Sequence, residues 1–240
     1  MDLFCRKESK FMNKSKANAT GLANIIAYAL IGCIAFVVMK FEFSIIPGVG
    51  FLKFDFSDVI ITIGMFIFGA VPGIIIALIR MILSLIFAGF ALPSVVGEVA
   101  AFLASISFAL PFYFFSKNIT VENRKTKMGI IKPIFGLIIG IIAMTCVMSL
   151  TNAFILTPLY AITSVPNLPA INSYGALYHF TEKVYLGQLL HLPSMQAYIF
   201  TIIVPFNLLK GVINNVVVYL LFEATIKTIK PFVRKRFNLK

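Results

Sequence analysis

Residues 22–41 read LANIIAYALIGCIAFVVMKF, and this stretch decides the fold class. It holds twenty residues with one charge, Lys40, near its end. That is about the length a helix needs to cross a hydrocarbon core of about 30 Å at about 1.5 Å per residue. The run is too long for a signal-peptide core and ends without a small-residue cleavage site, so it reads as a first membrane helix. Composition agrees. Of 240 residues, 60% are hydrophobic and 12% charged, with 25 Phe and no Trp. A water-facing domain is nearer half apolar and a quarter charged, so lipid is the natural solvent for this chain.

Five further apolar runs follow: 59–71, 72–87, 94–115, 133–156 and 197–226. The second and third spans meet at Gly69, Pro72 and Gly73 without a polar loop, which suits two short or tilted spans or one broken helix. Charge sets the topology. Arg6, Lys7, Lys10, Lys14 and Lys16 precede the first span. Lys117, Arg124, Lys125, Lys127 and Lys132 lie between the fourth and fifth. Lys227, Lys230, Arg234, Lys235, Arg236 and Lys240 follow the last. These are sixteen of the 21 basic residues, and six crossings put all of them in the cytoplasm, as the positive-inside rule asks. The reading is an all-α membrane protein, one domain over 1–240, with six transmembrane helices and both termini cytoplasmic. Basic tails cover 1–20 and 227–240. The net charge of +12 belongs to this topology, so nucleic acid is not implied as a partner. Cys5, Cys33 and Cys146 read as small packing residues, since no metal spacing or disulfide framework is present.

Two connections on the outer side are unusual. Segment 42–58, EFSIIPGVGFLKFDFSD, is broken by Pro47, Gly48 and Gly50 and carries Phe51, Leu52, Phe54 and Phe56. It reads as a lid whose apolar residues can close over an aromatic ligand. Ser57 or Asp58 is placed to cap the second helix. Segment 157–196 reads as a long outer loop, given Pro158, Pro166, Pro169 and Pro193.

Polar residues inside the spans are costly and therefore informative. Asn207, Lys210 and Asn214 fall on one face of the last helix, after Pro205, and offer several donors and an acceptor to a neutral ligand. The same face could clamp a neighbouring helix. Asn152, with Tyr160 beyond it, either points into the same cavity or ties helices together. Arg80, in the middle of the third span, needs a partner such as Glu98 or a ligand. Ala23, Ala27, Gly32 and Ala35 form a small-residue stripe on the first helix, and Gly136 and Gly140 a similar one on the fifth. There is no GxxxxGK[ST] phosphate loop and no HExxH, and no catalytic constellation emerges; His179 and His191 read as interfacial or solvated.

Taken in order, FLKFDFSD (51–58), GAVPG (69–73), Gly97-Glu98, the N-x5-P-L-Y run from Asn152 to Tyr160, and PFNLLKG (205–211) give the chain a family resemblance. It resembles the substrate-binding membrane subunits, or S components, of energy-coupling factor (ECF) vitamin transporters, and most closely the riboflavin-specific ones. The resemblance covers nearly the whole chain. It implies a non-enzymatic, multi-pass protein of a bacterial plasma membrane, with riboflavin or a related flavin as transported ligand and no cofactor or metal. It further implies a pocket near the outer side. Asn207 and Lys210 would hold the flavin, with Asn152, Leu52 and Asp55 nearby. Phe51, Phe54, Asn214, Tyr160 and Glu98 complete the candidate substrate set. The stripe at Ala23, Ala27, Gly32 and Ala35 would dock on a transmembrane coupling subunit, with two ATPase subunits supplying energy. The alternatives are an S component for another vitamin, an intramembrane lipid-modifying enzyme, or an assembly protein without a ligand.

Overall fold

The computed structural model describes residues 2–45, 52–164 and 171–237 of the chain. Helix α1 runs Asp2–Met39, so the segment read as a basic tail is helical up to the first span. No glycine or proline interrupts residues 2–20, so nothing local stops the helix there. After α1 comes a two-stranded antiparallel ribbon, β1 (Phe43–Ser44) and β2 (Lys53–Phe54), pairing Phe43 with Phe54 and Ser44 with Lys53. Helices α2 (Ser57–Phe68), α3 (Ala70–Ala88) and α4 (Leu92–Ser116) follow. Helix α5 (Lys127–Thr151) passes through a π-helical stretch, Asn152–Leu156, into α6 (Thr157–Ser164). Helix α7 (Tyr174–Phe180) continues as a π-helical stretch, Thr181–Leu189. The last span is α8 (Met195–Tyr198), a π-helical Ile199–Ile203 and α9 (Val204–Ala224). A further π-helical stretch, Thr225–Ile229, leads into α10 (Lys230–Phe237).

Among the described residues, five helical stretches are long and apolar enough to cross a membrane: Gly21–Met39, Ala70–Ala88, Leu92–Ser116, Lys127–Thr163 and Met195–Val233. The expected second span is present as a short helix, as the reading of two short spans allows. Helix α2 has 12 residues, about 18 Å at about 1.5 Å per residue, and falls short of a core of about 30 Å. It forms a hairpin with α3. Gly69 turns the chain at φ 111°, a conformation only glycine adopts freely, and a Cβ on Gly73 would lie 2.4 Å from Met65 Cβ. The 69–73 motif is therefore a reversal between two helices, and the one-broken-helix reading falls away.

Segment 157–196, expected as a loop, is largely helical where it is described, with irregular chain at 171–173 and 190–194. Prolines suggested irregular chain, but Pro158 falls at the second position of α6. Its missing N–H leaves the Phe154 carbonyl, one turn back, without its usual donor. The Tyr174 hydroxyl donates to that carbonyl at 2.7 Å. A side chain from the next helix thus repairs the break that the sequence signals.

Helices α4 and α5 pack closely along Gly136 and Gly140; a Cβ on Gly140 would meet the Phe108 carbonyl oxygen at 2.5 Å. Near the far end of the bundle, Phe66, Phe112 and Phe222 stack from α2, α4 and α9, with centroids 4.8–6.0 Å apart. Arg124, in the connection before α5, lies over the Phe222 ring, pairs with Glu223 and donates to Tyr219 Oη at 2.8 Å. That end is filled with rings. At the ribbon end, α4 instead presents Gly97, Ala100, Ala101 and Ala104, and the space these small residues leave is a cavity.

Candidate functional site

The cavity encloses about 380 Å³, within the range of sites for small organic ligands. The ribbon segment, the end of α1 and helices α3, α4, α5, α6 and α9 supply its walls.

Its central feature is Lys210. From α9 it donates to Asp55 Oδ2 at 3.0 Å and lies 3.1 Å from Asp58 Oδ2. Asp55 belongs to the lid segment and Asp58 to the first turn of α2, so one ammonium ties the lid and α2 to the last span. Asp55 also accepts from the backbone N–H and the hydroxyl of Ser57. Burial alone would push the Asp55 carboxyl up, but the Lys210 charge and the Ser57 hydrogen bonds outweigh it and hold it below the usual carboxylate range. Asp58 accepts a hydrogen bond from Ser105 Oγ of α4 at 2.5 Å. The expected cap is therefore corrected. Neither Ser57 nor Asp58 caps α2 with its side chain, because Asp58 faces inward to Lys210 and Ser105. An ammonium has three donors; one bonds Asp55 and the charge faces Asp58, so donor capacity remains for a ligand acceptor.

Asn207 stands one helical turn before Lys210, buried at the cavity wall, with Nδ2 donating to the Ile203 carbonyl at 2.8 Å. Leu52 reaches the cavity from the lid while packing among Tyr185, Leu186, Tyr198 and Phe206. Tyr160 and Glu98 line the same space, and the Tyr160 hydroxyl sits 3.4 Å from where a Cβ on Gly97 would be.

Three of the expected ligand residues lie elsewhere. Asn214 is fully buried behind the site, its amide 3.5 Å from the Asp55 carbonyl oxygen. Asn152 is fully buried, donates to the Met148 carbonyl at 2.8 Å, and is absent from the cavity wall. Phe54 is buried between Phe43 and Phe56, with ring centroids 5.3 Å away on each side. Phe51 falls outside the described residues. The first-helix stripe is split. Ala35 is wholly buried with Ile61, Ile76 and Ala77, and a Cβ on Gly32 would lie 2.7 Å from Ile79, so both serve packing inside the chain. Ala23 is exposed and Ala27 half-buried.

Several cavity residues drew no attention in the sequence. Met144, Met148 and Phe206 supply apolar wall, and apolar residues in a span carry no signal that separates wall from lipid face. Arg80 did carry one, a charge in mid-span. It lines the cavity, and its Nη1 is 3.7 Å from Glu98 Oε2 of α4.

The comparisons with known proteins agree with this architecture. A family model described as the ECF transporter substrate-specific component matches residues 23–222. Over 212 residues the chain is 33% identical to the riboflavin transporter RibU of Staphylococcus aureus (strain TCH60), covering 88% of this chain and 94% of that one. It is 30% identical over 213 residues to the riboflavin transporter FmnP of Bacillus subtilis (strain 168), with the same shares. A solved structure of the S component of a bacterial ECF transporter superposes with a TM-score of 0.59 at 31% identity, covering 88% of this chain and 99% of that chain. These relatives are transporters, and the apolar helices make the chain a multi-pass protein of a bacterial cell membrane. This chain belongs to the family of ECF transporter substrate-specific components.

Proposed function

We propose that the chain is the riboflavin-binding S component of an ECF-type importer, taking up its ligand at the lid end and relying on separate coupling and ATPase subunits for energy. The observation that carries this is the cavity's charge balance. Lys210 faces Asp55 and Asp58, Lys53 pairs with Glu42 at 2.5 Å, and Arg80 stands beside Glu98. With Lys40, which lies 4.9 Å from the Phe36 ring centroid, these make four cations and four carboxylates, so the ionisable groups in and against the wall balance. Such a site favours a neutral ligand rich in hydrogen-bonding groups, with apolar surface for Met144, Met148, Leu156 and Phe206 to cover. A flavin ring with a hydroxylated chain has that chemistry, and the relatives named as riboflavin transporters point the same way.

In this reading Asn207 and the free donor of Lys210 hydrogen-bond the ring, Leu52 closes over it, and Asp55 holds the lid to the last helix. Asn152 and Asn214 support the wall from behind. The basic connection at 117–132 and both basic ends lie in the cytoplasm, which puts the lid outside. A coupling subunit, with two ATPase subunits beneath it, docks on the open part of the first-helix face at Ala23 and Ala27. The intramembrane-enzyme alternative has no support among the relatives.

The test is direct. Protein purified in detergent is examined for a visible flavin absorption band that co-elutes with it, and stripped protein is titrated against riboflavin fluorescence. Co-elution and quenching support the reading. A colourless protein that leaves riboflavin fluorescence unquenched refutes it.

A further inference from the structure

The Lys210 wall explains how a ring could be held, but it leaves a second polar group in the cavity unused. Arg80 is 2% exposed, and its Nε and Nη2 have no hydrogen-bond partner among the described residues. Its Nη1 is 3.1 Å from the Met39 sulfur, a weak acceptor, and 3.7 Å from Glu98 Oε2, beyond hydrogen-bond reach. Glu98 Oε1 accepts from Ser84 Oγ at 2.5 Å, while Oε2 has no hydrogen bond among the described residues. Buried guanidinium N–H groups are ordinarily satisfied, because leaving them bare is costly. Here unsatisfied donors and an unsatisfied acceptor stand side by side on the wall of a cavity built for a ligand.

We infer that Arg80 and Glu98 form the subsite for the hydroxylated chain of the ligand, on α3 and α4 rather than on the Asn207–Lys210 wall of α9; the inference rests on the flavin reading and names the part of the flavin that α3 and α4 recognise. A hydroxyl both donates and accepts. Adjacent hydroxyls can therefore accept from Arg80 Nε and Nη2 and donate to Glu98 Oε2 at once, which a purely anionic group cannot do, while the donor and acceptors of the ring edge are taken by the Asn207–Lys210 wall. The carboxylate beside the guanidinium also gives the subsite a selectivity. A phosphate at the end of the chain gains from Arg80 and is repelled by Glu98, so the pair favours the neutral polyol over its phosphate ester. Gly97, Ala100 and Ala101 leave the chain room on the α4 side.

The experiment compares three probes by fluorescence quenching: riboflavin, lumiflavin (the ring with a methyl group in place of the polyol) and riboflavin 5′-phosphate. Wild-type protein is expected to bind riboflavin at least about tenfold tighter than lumiflavin, as hydrogen bonds to charged groups allow. Arg80→Met is expected to collapse that ratio towards one. Glu98→Gln is expected to move the riboflavin-to-phosphate preference towards the phosphate. Arg80→Lys, which keeps the charge in the span, serves where Arg80→Met does not yield folded protein. A purely structural role for Arg80 would weaken riboflavin and lumiflavin alike, and that unchanged ratio overturns the inference. So does equal affinity of the wild type for the two flavins, a measurement that needs no variant. Failure of the wild type to bind either one refutes the flavin reading itself.

Discussion

Replacing Lys210 by Met tests the site at its centre. Methionine keeps the length and apolar stem of lysine and removes the ammonium. Asp55 and Asp58 then remain, 7% and 2% exposed, without the cation that faces both. Removing one partner of a buried ion pair costs about 3–5 kcal/mol, because the stranded charge cannot regain water. For a chain of this size, about 2–4 °C of melting temperature follows each kcal/mol, so a drop of about 6–20 °C is expected in detergent. Riboflavin affinity should fall separately. A lost hydrogen bond from a charged donor is worth about 1.5–3 kcal/mol, or about 10- to 150-fold in Kd. The two effects can be separated with the variant Lys210→Met/Asp55→Asn/Asp58→Asn. It no longer buries an unpaired charge, so it should recover most of the melting temperature while still binding riboflavin weakly. Thermal unfolding followed by tryptophan-free probes such as thiol labelling, with fluorescence titration alongside, reads both quantities. A Lys210→Met protein with unchanged melting temperature and unchanged Kd would refute the claim that this ammonium joins the lid to the last span and touches the ligand.

The remaining predictions follow from particular contacts. Asp55 is held below the usual carboxylate range, so its share of stability is complete above its unfolded value near about 3.9 and disappears as pH falls through the lower folded value. Melting temperature measured into the acid range should show that decline, and Asp55→Asn should flatten it. Gly140→Ala places a methyl group 2.5 Å from the Phe108 carbonyl oxygen and should destabilise the protein by about 1–3 kcal/mol, visible as a lower melting temperature. Tyr174→Phe removes the hydroxyl that satisfies the Phe154 carbonyl after Pro158; a loss of about 1 kcal/mol is expected, with faster amide exchange around 154–158.

Much of the architecture was legible in the sequence because lipid imposes it. A helix must cross with its backbone bonded internally, so an apolar run such as 22–41 has few ways to fold. The helical period likewise announced that Asn207 and Lys210 share a face, and both line the cavity. The same period put Asn214 beside them, yet Asn214 faces the Asp55 backbone. A face spans a wide arc, and only the neighbouring helices decide which part of it meets the cavity. Small residues in α1 were equally ambiguous: Ala23 and Gly32 look alike in sequence, but Gly32 meets Ile79 of α3.

What the sequence by itself determined is the solvent, the helical class, the order of the spans and the polar residues that a membrane would not tolerate without a purpose. Tertiary structure alone decided the pairings. Lys210 meets Asp55 across 155 positions of chain, and Asp58 meets Ser105 across 47, turning an expected helix cap into a buried partner of Ser105 and Lys210. It also showed that Tyr174 bonds a carbonyl freed by Pro158, so the first proline of the expected loop lies in helix. Local propensity reports what one segment prefers in isolation. A buried polar group is satisfied by whatever the fold brings within about 3 Å, and that is a property of several segments at once.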